Sequence, residues 1–281
     1  MLHESQKKFS CSPVAPLLTA LEHRKLIMRL VWRDILARYR GSLLGVAWSV
    51  ITPLILLTVY TFVFSVVFNA RWEDVGTSAS TSKTYFAAVL FAGLIVFNIF
   101  SETIVRAPTL VLNNVSYVKK VVFPLEILPT VSLLVSLFNA AISFVILAVF
   151  YTIAFGVPPL TALAIPIIVL PLIIVILGVS LFLASLGVFV RDLQQFMGVV
   201  TMVFMFLTPL FYPLSALPAA YQGYVGLSPI TISIESVRQA LFKGTLPEIL
   251  PWSISFGVSL LVWWLGFVWF QKTRKAFADV V

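Results

Sequence analysis

Arg29, Arg33, Arg38 and Arg40 crowd one short stretch, RKLIMRLVWRDILARYR, running from Arg24 to Arg40. Guanidinium forks match the paired oxygens of a phosphate, so the chemistry within reach is capture of an anionic head group. Wound as a helix, the stretch puts Lys25, Arg29, Arg33 and Arg40 on one face and Ile27, Met28, Val31, Trp32, Ile35 and Tyr39 on the other. Arg38 and Asp34 border the apolar face, and Leu36 falls among the bases. Such a helix lies in a membrane interface. Its bases either anchor the first crossing from the inside or form a collar that recognises a phosphorylated lipid.

A second group spans Asn113 to Glu126, where Asn113, Asn114, Lys119, Lys120 and Glu126 alternate with Val115, Val118, Val121, Val122 and Phe123. A plain connection needs only a few residues, so a longer one with its own apolar face suggests a docking surface for another protein. The alternative is an ordered loop lying on lipid. A third group is aromatic: Tyr60, Phe64 and Phe68 recur at i,i+4 spacing, and Phe196, Phe204 and Phe211 fall roughly on one helical face. Ring faces meet sugar C–H groups without strong demands on orientation and so can line a path for glycans, or they can simply face lipid and core.

Other chemistries lack their residues. No GxxxxGK[ST] loop is present to cradle a nucleotide, and no HExxH motif or Cys/His cluster to hold a metal. Cys11 is the single cysteine, which excludes an intrachain disulfide and a Cys-based metal site. The long apolar runs contain almost no ionisable group beyond Glu102, whereas ion-coupled transporters keep acids or bases at mid-membrane. A chain of this kind that moves a substrate draws its energy from a separate subunit.

The elements that position these groups are membrane helices. Of 281 residues 60% are hydrophobic and 11% charged, too much apolar surface for a water-soluble fold. The expected fold is all-α and polytopic, with six crossings. Span one falls in the charge-free interval Gly41 to Ala70, with Pro53 inside it, and span two runs from about Thr84 to Ile104, closed by a Glu102/Arg106 i,i+4 pair. Spans three and four divide the charge-free run Ile127 to Val190 at the turn Gly156-Val157-Pro158-Pro159, span five covers about Gln195 to Phe211, and span six Ile249 to Gln271. Between the last two, prolines and glycines break an apolar stretch. It reads as two short helices, the second from about Ile230 to Phe242, dipping in and out on one side.

Charge sets the orientation. With both termini inside, fifteen of the 19 Lys and Arg residues are cytoplasmic, and only Arg71, Lys83, Arg238 and Lys243 lie outside. The net charge of +8 sits beside apolar runs, which favours lipid over nucleic acid as the partner. The start of the chain lacks the basic and apolar regions of a signal peptide, so the first span is expected to direct insertion. The layout is then a cytoplasmic segment 1–23, an interface helix 24–40, a membrane domain 41–271 with a cytoplasmic loop 108–126 and outer helices 214–242, and a cytoplasmic tail 272–281.

Three segments, RLVWRDILARYRGSLLGVAWSVITPL (Arg29 to Leu54), VKKVVFPLEILP (Val118 to Pro129) and RDLQQFMGVVTMVFMFLTPLFYPLSALP (Arg191 to Pro218), resemble the ABC-2 permeases that export bacterial polysaccharides, above all the membrane subunit of O-antigen exporters. Capsule and teichoic-acid exporter permeases are relatives of that group. The resemblance implies a homodimer in the bacterial inner membrane, bound to two copies of a separate ABC ATPase that holds ATP and Mg, and moving a polyprenyl-pyrophosphate-linked glycan outward. It assigns Arg24 to Arg40 as the cytoplasmic gate helix, with Arg29, Arg33, Arg38 and Arg40 at the pyrophosphate. Asn113, Asn114, Tyr117, Lys119, Lys120, Phe123 and Glu126 belong to the coupling helix and loop facing the ATPase, and Leu214 to Phe242 to the external gate helices. Trp48, Tyr60, Phe64, Phe68, Phe196, Phe204, Phe211 and Tyr212 line the glycan channel, and the chain itself holds no cofactor or metal.

Two rivals remain on these residues. One is an exporter of drugs or small lipids on the same scaffold. The other is a membrane-embedded glycolipid enzyme, which needs clustered acids, and Glu102, Glu126 and Asp192 form no recognisable cluster.

Overall fold

The computed structural model describes residues 15–63, 83–118 and 123–280. Among them every regular element is helical: α1 (Ala15–Glu22), α2 (Arg24–Arg38), α3 (Trp48–Tyr60), α4 (Lys83–Arg106), α5 (Val115–Val118), α6 (Ile127–Phe155), α7 (Ile165–Ile168), α8 (Leu170–Phe189), α9 (Leu193–Leu207), α10 (Ala219–Gly226), α11 (Pro229–Arg238), α12 (Ile249–Thr273) and α13 (Phe277–Val280). The helical reading of the apolar runs holds. Each run lacks the polar partners that an open backbone would need in lipid, so its amide groups bond within the segment.

Among the described residues five helical stretches are long and apolar enough to cross a bilayer: Gly45–Val63, Thr84–Thr109, Ile127–Phe155, Leu160–Phe189 and Ile249–Ala276. The expected fifth crossing is shorter than its charge-free run. α9 stops at Leu207 because Thr208 precedes Pro209 and turns extended, with ψ 142°. Its 15 residues reach about 22 Å, against about 30 Å of hydrocarbon.

The breaks elsewhere obey local rules. Gly156 takes φ +91° and ends α6, then Pro158 and Pro159 lead into the next helical run. α4 forms the centre of the bundle, where Phe86 to Ile99 pack against α6, α8 and α11. α8 and α12 lie along each other over a long contact. Gly178 and Gly266 make that approach possible: a Cβ on Gly178 would sit 2.6 Å from the Trp263 backbone, and one on Gly266 would meet the Gly178 peptide.

α6 defines the two ends of the bundle. α2 packs at its start, with Ile27, Leu30, Val31 and Ile35 against Ile127, Val131 and Val135. α10 and α11 lie towards the other end, where Phe242 meets Tyr85 at 5.2 Å and Tyr151 at 5.6 Å between ring centres. α10 has 8 residues and α11 has 10, so neither crosses alone. α1, within the segment 1–23 where no helix is expected from the sequence, is a helix whose Pro16, Thr19 and Ala20 line a groove with Glu126 and Phe267.

Candidate functional site

The basic helix α2 is held to α6 by one edge of the apolar face its sequence suggests, Ile27, Val31 and Ile35, joined by Leu30. Leu30 is buried with Ile27, Val31 and Ile35, while Met28, Trp32 and Leu36 stay exposed. α2 carries two apolar stripes at i,i+4 spacing, and α6 covers one; the other is left for lipid. Arg29, Arg33 and Arg40 consequently face outward, and the helix ends at Arg38 rather than Arg40.

Arg33 does not stand alone. Its Nη1 donates to the Tyr117 hydroxyl at 2.6 Å, its guanidinium carbon lies 5.8 Å from the Tyr117 ring centre, and its Nη2 pairs with Asp34 at 2.8 Å. Burial opposes the charge of Arg33, but the bond and charge of Asp34 and then Tyr117 outweigh it and raise the pKa above its ordinary value. The cation is fixed, and it fastens α2 to α5.

Arg38 turns the other way, into the bundle. It pairs with Glu102 on α4, which also takes Arg106 Nη2 at 3.5 Å and the Asn139 side-chain amide of α6 at 3.3 Å and 3.4 Å. The Arg38 Nε is buried and has no hydrogen-bond partner among the described residues. Arg38, Glu102 and Asn139 edge a cavity of about 400 Å³ between α3, α4 and α6, lined also by Trp48, Thr52, Asn98, Ser136 and Ser143. A guanidinium, two amides and several hydroxyls facing one space can hold an anionic, oxygen-rich ligand. The expected Glu102/Arg106 pair is present, yet Arg38 is the stronger partner.

The candidate docking segment is anchored from within. Asn114 donates to Leu110 O at 2.8 Å, Tyr117 stacks on Phe123 at 4.2 Å, and Asn113 is exposed. Glu126 faces inward rather than outward: Arg274 Nη1 reaches its carboxylate at 2.7 Å, Gln271 at 3.4 Å, and Arg274 Nη2 donates to Phe123 O at 2.7 Å. The tail of α12 thereby braces the segment. Lys119 and Lys120 lie outside the described residues, as do Phe64 and Phe68.

The aromatic set divides. Trp48 lines the Arg38 cavity, and Tyr60 packs on the core around α4. Phe196 is exposed on α9, and Phe204 meets Phe100 at 5.7 Å. Phe211 does not continue their helical face, because α9 has already ended; it packs on the core beside Phe206. The Tyr212 hydroxyl donates to Phe206 O and Leu207 O at 3.0 Å and 3.1 Å, closing the last turn of α9.

At the far end Arg238, expected on the outer side, is 5% exposed. Its Nε donates to Val89 O at 3.2 Å, Nη1 to Pro209 O and to the Glu235 carboxylate, each at 2.7 Å, and Nη2 to Leu210 O at 2.9 Å. Carbonyls freed where α9 breaks are thus satisfied by one side chain. Gly93 leaves room for it, since a Cβ there would lie 2.7 Å from Nη2.

Known proteins are similar to this chain over most of its length. The O-antigen export system permease protein RfbA of Myxococcus xanthus is 27% identical over 263 residues, covering 92% of this chain and 96% of that protein. The protein of the same name from Klebsiella pneumoniae is 25% identical over 258 residues, covering 91% and 95%. The family model described as ABC-2 type transporter matches residues 25–242, a range that takes in α2, the Arg38 cavity, the docking segment and Arg238. The chain belongs to the ABC-2 type transporter family.

Proposed function

We propose that this chain is the membrane subunit of an ATP-driven exporter that carries a polyprenyl-diphosphate-linked polysaccharide across the bacterial inner membrane. It works as a homodimer with two copies of an ABC ATPase subunit, which bind ATP and Mg. The observation that carries the reading is the meeting of Arg38 on α2 with the polar cavity between α3, α4 and α6, at the same end of the bundle as the Asn113–Phe123 docking segment. A diphosphate finds Arg38 there, with Arg29, Arg33 and Arg40 along α2, while the polyprenyl tail stays in lipid. The names of the M. xanthus and K. pneumoniae relatives support a glycan cargo.

In this reading both termini and α5 are cytoplasmic, in line with the concentration of Lys and Arg at that side. α9, with the turn that Arg238 holds, makes the fifth of six crossings, and α10 and α11 are re-entrant on the outer side. ATP-driven closure of the partner subunits presses on α5, and the Arg33–Tyr117 bond passes the movement to α2. The glycan slides over Trp48, Phe196 and Phe204 between the two copies. Deleting the gene should abolish surface polysaccharide and leave its lipid-linked precursor inside the cell. Normal surface polysaccharide, with loss of a drug or small lipid from the medium, would overturn the glycan reading in favour of another cargo.

A further inference from the structure

Glu102 stands where a phosphate would be expected to stand. It is a part-buried carboxylate near the end of α4, and it draws Arg38, Arg106 and the Asn139 amide onto one point. Those are the donors that a diphosphate would recruit, and Arg38 and Asn139 line a cavity whose other polar groups include Asn98, Ser136 and Ser143. A structural ion pair would satisfy its members, yet Arg38 Nε is buried with no hydrogen-bond partner among the described residues. The donor set has capacity beyond what one carboxylate fills.

We infer that Glu102 is an exchangeable counter-ion: it occupies the anion site of the empty transporter and is displaced when a prenyl diphosphate binds to Arg38 and Arg106. This inference rests on the reading of Arg38 as a diphosphate contact and adds a competitor to it. Two consequences separate the carboxylate from a passive brace. It lowers affinity for the incoming anion, both by engaging Arg38 and by like-charge repulsion. It also makes release downhill once the lipid leaves, because the guanidinium never stands unpaired in a low-dielectric setting. An exporter gains from both, since a cargo held too tightly at entry would not move on.

The test uses the whole permease–ATPase complex in lipid nanodiscs and farnesyl diphosphate as the probe, with farnesol as the uncharged control. Binding is measured by calorimetry for the wild type and for Glu102→Gln, Glu102→Asp and Arg38→Gln. The expected result is binding to Glu102→Gln about tenfold tighter than wild type, the order of one released ion pair, with Glu102→Asp between the two because its charge remains but its reach is shorter. Glutamine still accepts a hydrogen bond from Arg38, so the docking of α2 is kept. Unchanged or weaker binding to both Glu102 variants, with binding lost in Arg38→Gln, would overturn the counter-ion role and leave the diphosphate site standing. Equal wild-type binding of farnesyl diphosphate and farnesol, or no effect of Arg38→Gln, would overturn the site itself and the counter-ion with it.

Discussion

The Tyr117 hydroxyl lies 2.6 Å from Nη1 of Arg33, and this bond joins the basic helix α2 to the short helix α5 beside the contact of the Arg33 guanidinium with the Tyr117 ring. Tyr117 also stacks on Phe123, so its ring stays anchored when the hydroxyl is removed. Tyr117→Phe should therefore leave the segment folded and remove only the hydroxyl bond. In the permease–ATPase complex, stimulation of ATP hydrolysis by substrate should fall by about three- to tenfold, while the amount of ATPase that co-purifies stays the same. Because the pKa of Arg33 is raised, its charge is kept at every pH below its already high ordinary value. Stimulation should therefore show no loss from this contact between roughly pH 6 and 9.

Arg274 and Glu126 form a pair 2.7 Å apart whose side chains are 15% and 11% exposed. Removing one partner leaves a charge without compensation, so Arg274→Met should destabilise the α12 tail and docking segment by about 3 kcal/mol. Thermal denaturation followed by size-exclusion chromatography in detergent reads the loss. The double variant Arg274→Met/Glu126→Gln should recover much of it, because the stranded charge is gone.

Helix packing supplies a sharper contrast. Gly266→Ala forces α12 away from the Gly178 peptide and should cost about 1–3 kcal/mol, as overpacking does. Gly198→Ala, where nothing lies within 4 Å of the new Cβ, should leave the melting temperature unchanged or slightly raised. Equal effects from the two would contradict the close α8–α12 contact.

Much of this arrangement can be read from the residues alone. Charge-free runs place α4, α6, the Leu160–Phe189 run that ends in α8, and α12 within a few positions, and Gly156-Val157-Pro158-Pro159 marks the hairpin, because lipid solvation and turn geometry are local constraints. The buried face of α2 is not local. Ile27-Val31-Ile35 and Met28-Trp32-Leu36 are equally good apolar stripes, and only the facing surface of α6 selects the first. Thr208 before Pro209 could have signalled the early end of α9, yet the apolar run continues past it and hides the break. Glu102 was conspicuous as an acid in a crossing, but Arg38 is 64 residues away and Asn139 is 37 away, so their meeting depends on the assembled bundle.

Arg238 gives the same lesson at the other end. Arg238→Gln removes donors to Val89, Pro209 and Leu210 carbonyls at once. In a variant with Cys11→Ser and Leu210→Cys, the thiol at this fully buried position should resist a water-soluble maleimide. Adding Arg238→Gln should make it label readily, as the break after α9 loses its anchor. Continued protection would show that packing alone holds the turn.

The central claim is that a lipid-linked glycan is exported by a complex of this chain with a separate ATPase. Its most direct test is purification of the tagged chain from its native membranes, followed by mass spectrometry of the bound protein and lipid. The account predicts an ABC ATPase in equal amount to the permease, with a polyprenyl-diphosphate glycan that stimulates its ATP hydrolysis. Recovery of a stable chain with no ATPase and no lipid-linked glycan would contradict it.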